Sequence, residues 1–339
     1  IEKINNVKRF FIVTHKTIYN HYSEILLSQL NNYTVVPIFI DEGETSKSLS
    51  CLSDILDTLF QNKVERSDCI IGFGGGVIGD LAGFAASICL RGLRLIHIPT
   101  TLLAQVDSAI GGKTGINHSA GKNLIGTFYQ PECIIIDPNV LKTLNKEEMR
   151  SGFAEIIKYG VIRDRDLFNI LKDNKSILNT FNSQENSEIW DLIIKKSCQN
   201  KVDVVSEDEK EAGIRAILNF GHTIGHAFEA MFGNYDFRHG ECVALGMICA
   251  TNIASQINII DPNQATEIYT LILDYGFKCN LPEIDTKKFY QKLALDKKII
   301  HGQYRFILPT SIGKVVIDNS ITHSQIDKSI NFLKKIISN

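Results

Sequence analysis

The stretch that decides the fold is Cys69-Ile70-Ile71-Gly72-Phe73-Gly74-Gly75-Gly76-Val77-Ile78-Gly79-Asp80-Leu81-Ala82-Gly83-Phe84-Ala85-Ala86. Its first five residues form a short apolar run, which predicts a strand covered on both faces. Gly74 to Gly79 then satisfy GxGxxG, and a helical pattern runs from Val77 to Leu90. Glycines there permit close backbone approach, and the amino end of a helix offers free N–H groups to an anion. A tight strand-to-helix turn without a ligand needs the same residues, so the loop by itself leaves both readings open.

On either side, further β-rich runs alternate with helical patterns: Phe10-Phe11-Ile12-Val13, Val35 to Ile40, Leu95-Ile96-His97-Ile98 and Cys133 to Ile136. Such alternation predicts a parallel sheet with helices on both faces. The glycine loop follows the third of these strands, not the first, and no acid stands about twenty residues beyond it to hold a ribose. A standard dehydrogenase arrangement is therefore disfavoured. Asp41-Glu42-Gly43-Glu44, just past the second strand, can supply the missing acid. Gly112-Lys113-Thr114 suggests a P-loop, but the first glycine of that motif would fall at residue 107, which is Asp.

From about residue 147 the pattern changes to long amphipathic stretches at 147–160, 185–204, 207–232 and 238–257. Near the carboxyl end, Tyr304 to Leu308 and Lys314 to Ile317 flank a turn and predict a hairpin. We therefore expect an α/β domain over 1–147 and a mainly helical domain over 148–339. At 339 residues and 44% hydrophobic content the chain is long enough for two cores. Lys and Arg number 36 against 38 Asp and Glu, so the net charge of -2 gives no general attraction to nucleic acid or an anionic membrane. Any anion must be held by a local cluster. The eight cysteines form no CxxC pair, no apolar run is long enough to span a bilayer, and a cytoplasmic location is expected.

Nine histidines are thinly spread except for His222, His226 and His239. His222 and His226 stand one helical turn apart, a spacing that suits a metal chelate but, for the pair alone, more often belongs to two hydrogen-bonded helical histidines. Adding His239, in Arg238-His239-Gly240-Glu241, supplies a third imidazole, as a catalytic zinc site requires, and a carboxylate could also serve. Glu155 lies in an apolar helical pattern, where a carboxylate is costly unless bound to metal or paired, with Lys158 the available partner. Zinc or another divalent ion fits this set better than a thiolate site. Small residues also surround Lys113 and Lys122, in Asp107 to Gly115 and Gly121 to Gly126, which reads as glycine loops shaping a site.

Five ordered blocks, Gly74 to Ala86, Pro99 to Gly126, Ser151 to Gly160, Leu218 to His226 and His239 to Gly246, resemble the 3-dehydroquinate synthase family. The resemblance runs from about residue 35 to about 310. It implies a Rossmann-like nucleotide-binding α/β domain followed by a mainly α-helical metal-binding domain. It implies zinc, or cobalt in its place, on Glu155, His222 and His239, with His226 at the substrate phosphate. NAD would be held by Glu44, Lys47, Gly74, Gly75, Val77, Asp80, Thr100, Thr101, Asp107, Lys113 and Lys122. Substrate contacts would come from Arg91, Lys113, Asn123, Lys158, Lys201, Arg215, Asn219 and Lys297, with Lys298 as the neighbouring alternative. The substrate so implied is a heptulosonate phosphate, the assembly a homodimer, and neither nucleic acid nor membrane is a partner. His15 departs from the pattern, since the family usually has a short Asp or Asn after the first strand, near the adenosine.

Overall fold

A computed structural model describes residues 7–179, 187–232, 237–277, 281–294, 299–300 and 303–338. The chain divides into two compact units, Ile1–Leu144 and Asn145–Asn339. The boundary falls at Asn145, whose side chain accepts the Glu148 N–H at 2.8 Å and so caps the first helix of the second unit.

In the first unit, β1 (Arg9–Thr14), α1 (Lys16–Gln29), β2 (Thr34–Phe39), α2 (Leu49–Gln61), β3 (Cys69–Gly74), α3 (Gly76–Ile88) and β4 (Arg94–Pro99) alternate as expected. The hairpin of β5 (Lys113–His118) and β6 (Gly121–Phe128) then precedes the short β7 (Cys133–Ile134). The main sheet is parallel in the order β2-β1-β3-β4-β7. Alternate residues of each strand point to opposite faces. Phe11, Val13 and Ile70 join a core with Ile55 and Leu59 of α2 and Leu81 and Ala85 of α3. Phe10, Ile12 and Ile71 join the opposite core, which Ile18, Tyr22 and Leu26 of α1 cover. Pro37 fits because β2 is an edge strand, where a missing N–H is tolerated.

Register aligns the carboxyl ends of the strands that matter. Thr14 of β1 pairs with Phe73 of β3, and Phe73 with Ile98 of β4. His15, the glycine loop and Thr100 therefore emerge along one edge. Between β1 and β3 the strand order reverses direction, which is where open α/β sheets collect ligands.

One expectation is corrected. The glycine loops anticipated around Lys113 and Lys122 are an antiparallel hairpin, with Gly115 opposite Gly126. A Cβ on Gly126 would lie 2.1 Å from the Thr114 carbonyl oxygen, and one on Gly83 of α3 2.4 Å from Thr114 Cγ2. These glycines serve close strand pairing and seat the hairpin on α3.

The second unit contains α4 (Lys146–Ile162), α5 (Arg165–Asp173), α6 (Ser187–Glu207), α7 (His222–Phe232), α8 (His239–Gln256), α9 (Pro262–Asp274) and α10 (Thr286–Ala294). The short strands β8 (Ile299–Ile300) and β9 (Gln303–Tyr304), the expected hairpin of β10 (Phe306–Ser311) and β11 (Lys314–Asp318), and α11 (His323–Ser338) complete it. The stretch 207–232, expected as one amphipathic helix, is broken. Ile214–Asn219 form a separate tight turn, and Gly221 sits at φ +78°, a conformation that ends any continuous helix. Arg215 and His222 therefore belong to different elements.

Helices α7 and α8 touch backbone to backbone. A Cβ on Gly246 would lie 2.0 Å from the Gly221 carbonyl oxygen and 2.8 Å from the Gly225 nitrogen, and one on Gly240 2.2 Å from the Ser151 carbonyl oxygen in α4. No side chain fits there without moving a helix, so the three elements that carry the histidines and Glu155 are fixed at minimum separation. We predict that Gly246→Ala costs about 1–3 kcal/mol of stability, the typical range for overpacking. A urea midpoint equal to that of the parent would show that α7 and α8 can separate freely.

Candidate active site

Helix α4 is buried along almost its whole length, from Met149 to Ile162, and on it Glu155 is wholly inaccessible to solvent. Lys158, one turn later and equally buried, donates to Glu155 Oε2. The other carboxylate oxygen, Oε1, faces two imidazoles: His222 Nε2 at 3.5 Å and His239 Nε2 at 3.7 Å. Each ring is turned by a contact at its remaining nitrogen. His222 Nδ1 lies 3.0 Å from the Phe220 carbonyl oxygen, and His239 Nδ1 lies 3.0 Å from Glu229 Oε2. A proton on Nδ1 in each case leaves the Nε2 lone pair aimed at Glu155, the arrangement a metal ligand needs.

The amino end of α8 is anchored to α4. Arg150 donates to Glu241 at 2.6 Å, Arg238 to Glu148, and the Gly240 N–H to Ser151 Oγ at 3.1 Å. His239, the first residue of α8, is placed by these contacts. His226 stands beside both other rings, with centroids 5.3 Å from His222 and 5.9 Å from His239. Ligand atoms of Glu155, His222 and His239 lie within 4.8 Å of one another, as do those of His226, Glu229 and His239. One oxygen and two nitrogens suit zinc, and burial of the carboxylate favours neutralisation by a cation.

Lys201 on α6 and Arg215 in the 214–219 turn are also buried. Elements α4, α6 and that turn pack against one another. The turn is held by Asp208, which accepts the N–H groups of Ala212 at 2.9 Å, Gly213 at 2.7 Å and Arg215 at 3.0 Å. Desolvation pushes the Asp208 carboxyl up, but these three donors outweigh it and hold its pKa below the usual range. Arg215 donates to the Glu209 carbonyl, and Glu211 accepts from Asn219 at 2.9 Å. Lys297 and Lys298 lie outside the described residues.

The first unit carries the other group. Buried Lys47 lies 2.5 Å from Asp80 and 3.8 Å from Glu44. Glu44 accepts from Asn117 at 2.8 Å, and Asn117 in turn accepts the Asn123 N–H at 2.9 Å, so Glu44, Lys47, Asp80 and Asn123 form one polar cluster. Gly75 caps α3 without a side chain, and a Cβ there would approach Thr101 Cγ2 to 3.0 Å. Thr100 donates its N–H to the Gly74 carbonyl at 3.0 Å, and Thr101 Oγ1 accepts from Ala104 at 3.1 Å. Val77 is in the first turn of α3, and Asp107 belongs to the helical turn at 104–108. Lys113 and Lys122 are exposed on the hairpin; Arg91, just before β4, is exposed at φ +67°, next to Leu90 at φ +50°. His15 spends its Nδ1 on the Ile40 carbonyl at 3.0 Å, which ties the end of β1 to the end of β2.

Two residues escaped the sequence reading. Glu229 follows His226 by three positions on the same face of α7, a signal present in His222-Thr223-Ile224-Gly225-His226-Ala227-Phe228-Glu229. Asn117 gave none, because its role depends on the hairpin.

The two halves match the family models described as 3-dehydroquinate synthase N-terminal, over residues 37–151, and 3-dehydroquinate synthase C-terminal, over 152–299. The chain belongs to the 3-dehydroquinate synthase family. Among family members, the 3-dehydroquinate synthase of Rippkaea orientalis is 45% identical over 333 residues, covering 97% of this chain and 90% of that protein. The 2-epi-5-epi-valiolone synthase of Streptomyces hygroscopicus subsp. jinggangensis, solved with NAD+ and Zn2+ bound, superposes with a TM-score of 0.88 at 25% identity, covering 97% and 91% of the two chains. A 2-deoxy-scyllo-inosose synthase complexed with carbaglucose-6-phosphate, NAD+ and Co2+ gives a TM-score of 0.85 at 27% identity, covering 96% and 91%. Among the described residues no helix is long and apolar enough to cross a membrane.

Desolvation works against a charge on His239, but Glu155 and Glu229 outweigh it and hold the imidazole pKa up to about 10. A raised pKa means that the charged ring stabilises the metal-free fold fully below the ordinary 6.5, and that this contribution is lost as pH climbs through about 10. We predict that the denaturation midpoint of chelator-treated protein falls across that window, and that His239→Gln flattens the fall. Identical pH profiles for the two proteins would refute the proposed charge on His239.

Proposed function

We propose that the chain catalyses the conversion of 3-deoxy-D-arabino-heptulosonate 7-phosphate to 3-dehydroquinate and phosphate, a carbon–oxygen lyase and cyclase reaction of the shikimate pathway. The single observation that carries this reading is the convergence of Glu155, His222 and His239 beside buried Lys158, in a chain of this family. Relatives of similar length bear the same name.

Overall the reaction is a transient oxidation, phosphate elimination, re-reduction, ring opening and intramolecular aldol closure, so it is redox-neutral. NAD supplies a reversible hydride acceptor and zinc, or cobalt, a Lewis acid at the reacting alcohol. Glu155, His222 and His239 would hold the metal. Glu44, Lys47, Asp80, Thr100, Thr101, Asp107, Lys113 and Lys122 would hold the dinucleotide, with its pyrophosphate at Gly74, Gly75 and Val77, where the bare end of α3 presents N–H groups.

The remaining residues handle the charge of the substrate. Lys158, Lys201 and Arg215 are buried cations in a chain of net charge -2, an expensive arrangement unless anions occupy their surroundings. Arg215 offers a planar fork that matches a carboxylate, and the lysines suit a phosphate. In this reading His226 would share a proton with the departing phosphate, and Asn219, Asn123, Arg91, Lys113 and Lys297 would supply further substrate contacts. A homodimer and a cytoplasmic location belong to the same reading.

Two experiments test it. With the heptulosonate phosphate and substoichiometric NAD, many phosphates should be released for each NAD; accumulation of NADH in proportion to product would replace this reading with a polyol dehydrogenase. Separately, His239→Ala should lose metal and activity together, whereas His226→Ala should keep the metal and lose mainly elimination. Metal analysis of both purified variants decides, and loss of zinc from the His226 variant would make the HxxxH pair a chelate.

A further inference from the structure

Glu229 belongs to neither the ligand set nor the substrate contacts proposed above, yet its carboxylate lies 3.0 Å from Nδ1 of His239. That distance decides which nitrogen of the ring is free. With the proton on Nδ1 donated to Glu229, the lone pair of Nε2 points at the position shared with Glu155 Oε1 and His222 Nε2. We propose that Glu229 is the positioning residue of the metal centre, fixing the tautomer and orientation of His239 so that it ligates through Nε2. The inference rests on the assignment of Glu155, His222 and His239 as the metal ligands.

The two histidines make a comparison inside one site. His222 is oriented by the backbone carbonyl of Phe220, a neutral acceptor that no substitution of residue 220 removes. His239 is oriented by an ionised side chain, which makes a stronger hydrogen bond and raises the basicity of the opposite nitrogen. Both rings belong to the first residue of a helix, yet His222 turns to the carbonyl two residues before it, whereas His239 of α8 is met by Glu229 from α7. Because α7 and α8 are locked at glycine contact, the carboxylate and the ring are held at fixed separation.

The competing role for Glu229 is direct ligation. His226, Glu229 and His239 also present ligand atoms within 4.8 Å of one another, and in that set His239 would bind through Nδ1. The Glu155 set is preferred because its carboxylate is fully buried and both its imidazoles carry an orienting acceptor on the opposite nitrogen.

The test measures zinc affinity of the full chain by competition with a chromophoric chelator, beside the thermal stability of the metal-free protein. Glu229→Ala should weaken zinc binding by about 10–100-fold, the usual consequence of losing an outer carboxylate, and Glu229→Gln by less, since its amide oxygen can still accept. Metal-free stability reports any general loss of structure, and the Glu229→Gln protein preserves the packing. Proton–nitrogen spectra of the zinc-loaded parent should show His239 protonated at Nδ1 and bound through Nε2. Unchanged zinc affinity in both Glu229 variants, with loss of zinc from His239→Ala, overturns the inference and leaves the metal assignment intact. Loss of zinc from Glu229→Ala and His226→Ala as complete as from His239→Ala would make Glu229 a ligand. Zinc binding unaffected by His239→Ala would sink the underlying ligand assignment itself.

Discussion

The candidate metal centre of the second unit is built around one costly feature, the carboxylate of Glu155 with no solvent access. An unpaired ionised group in such a place is tolerated only when cations or hydrogen-bond donors replace its water. Here Lys158 takes one oxygen and two imidazoles face the other. Removing one of these partners would leave a buried charge uncompensated, which costs far more than the pair itself contributes. The residues around Glu155 are thus constrained by electrostatics before any substrate is considered.

Close helix packing makes that constraint achievable. Imidazole nitrogens from α7 and α8 reach a carboxylate on α4 only if the three helices approach more closely than ordinary side chains allow. Gly221, Gly225 and Gly246 remove the side chains between α7 and α8, and Gly240 removes the one between α8 and α4. Glycine inside a helix costs about 0.5–1 kcal/mol relative to alanine. Its presence at these crossings is a stability sacrifice that sets the distances of the site. The ion pairs Arg150–Glu241 and Arg238–Glu148 then hold the end of α8 against α4.

What the amino-acid sequence disclosed follows from which interactions are local. The strands of the first unit were legible because each is a short apolar run buried on both faces, and the glycine loop was legible because strand, loop and helix are contiguous. The hairpin at 113–128 was not, since glycines that permit a close cross-strand approach look the same as glycines in a loop. The break in 207–232 was hidden because apolar residues recur on both sides of it, and nothing in their spacing marks the positive φ of Glu211 and Gly221 that lie between the end of α6 and the start of α7. Glu155 stood out as a carboxylate in an apolar pattern. The orienting role of Glu229 needed the approach of α8, which no spacing along α7 encodes.

The same geometry explains why a mixed ligand set suits this chain better than three imidazoles. A divalent cation on three neutral rings would keep its full double charge in buried surroundings that already hold the Lys158 ammonium. With Glu155 as a ligand, the metal and its shell carry one positive charge, and that ammonium is repelled less. Glu229, hydrogen-bonded to His239 from outside, offsets more of that charge without taking up a coordination position. Coordination space and cationic donors then both remain for an anionic substrate, so that positive charge is concentrated locally although the whole chain has none to spare.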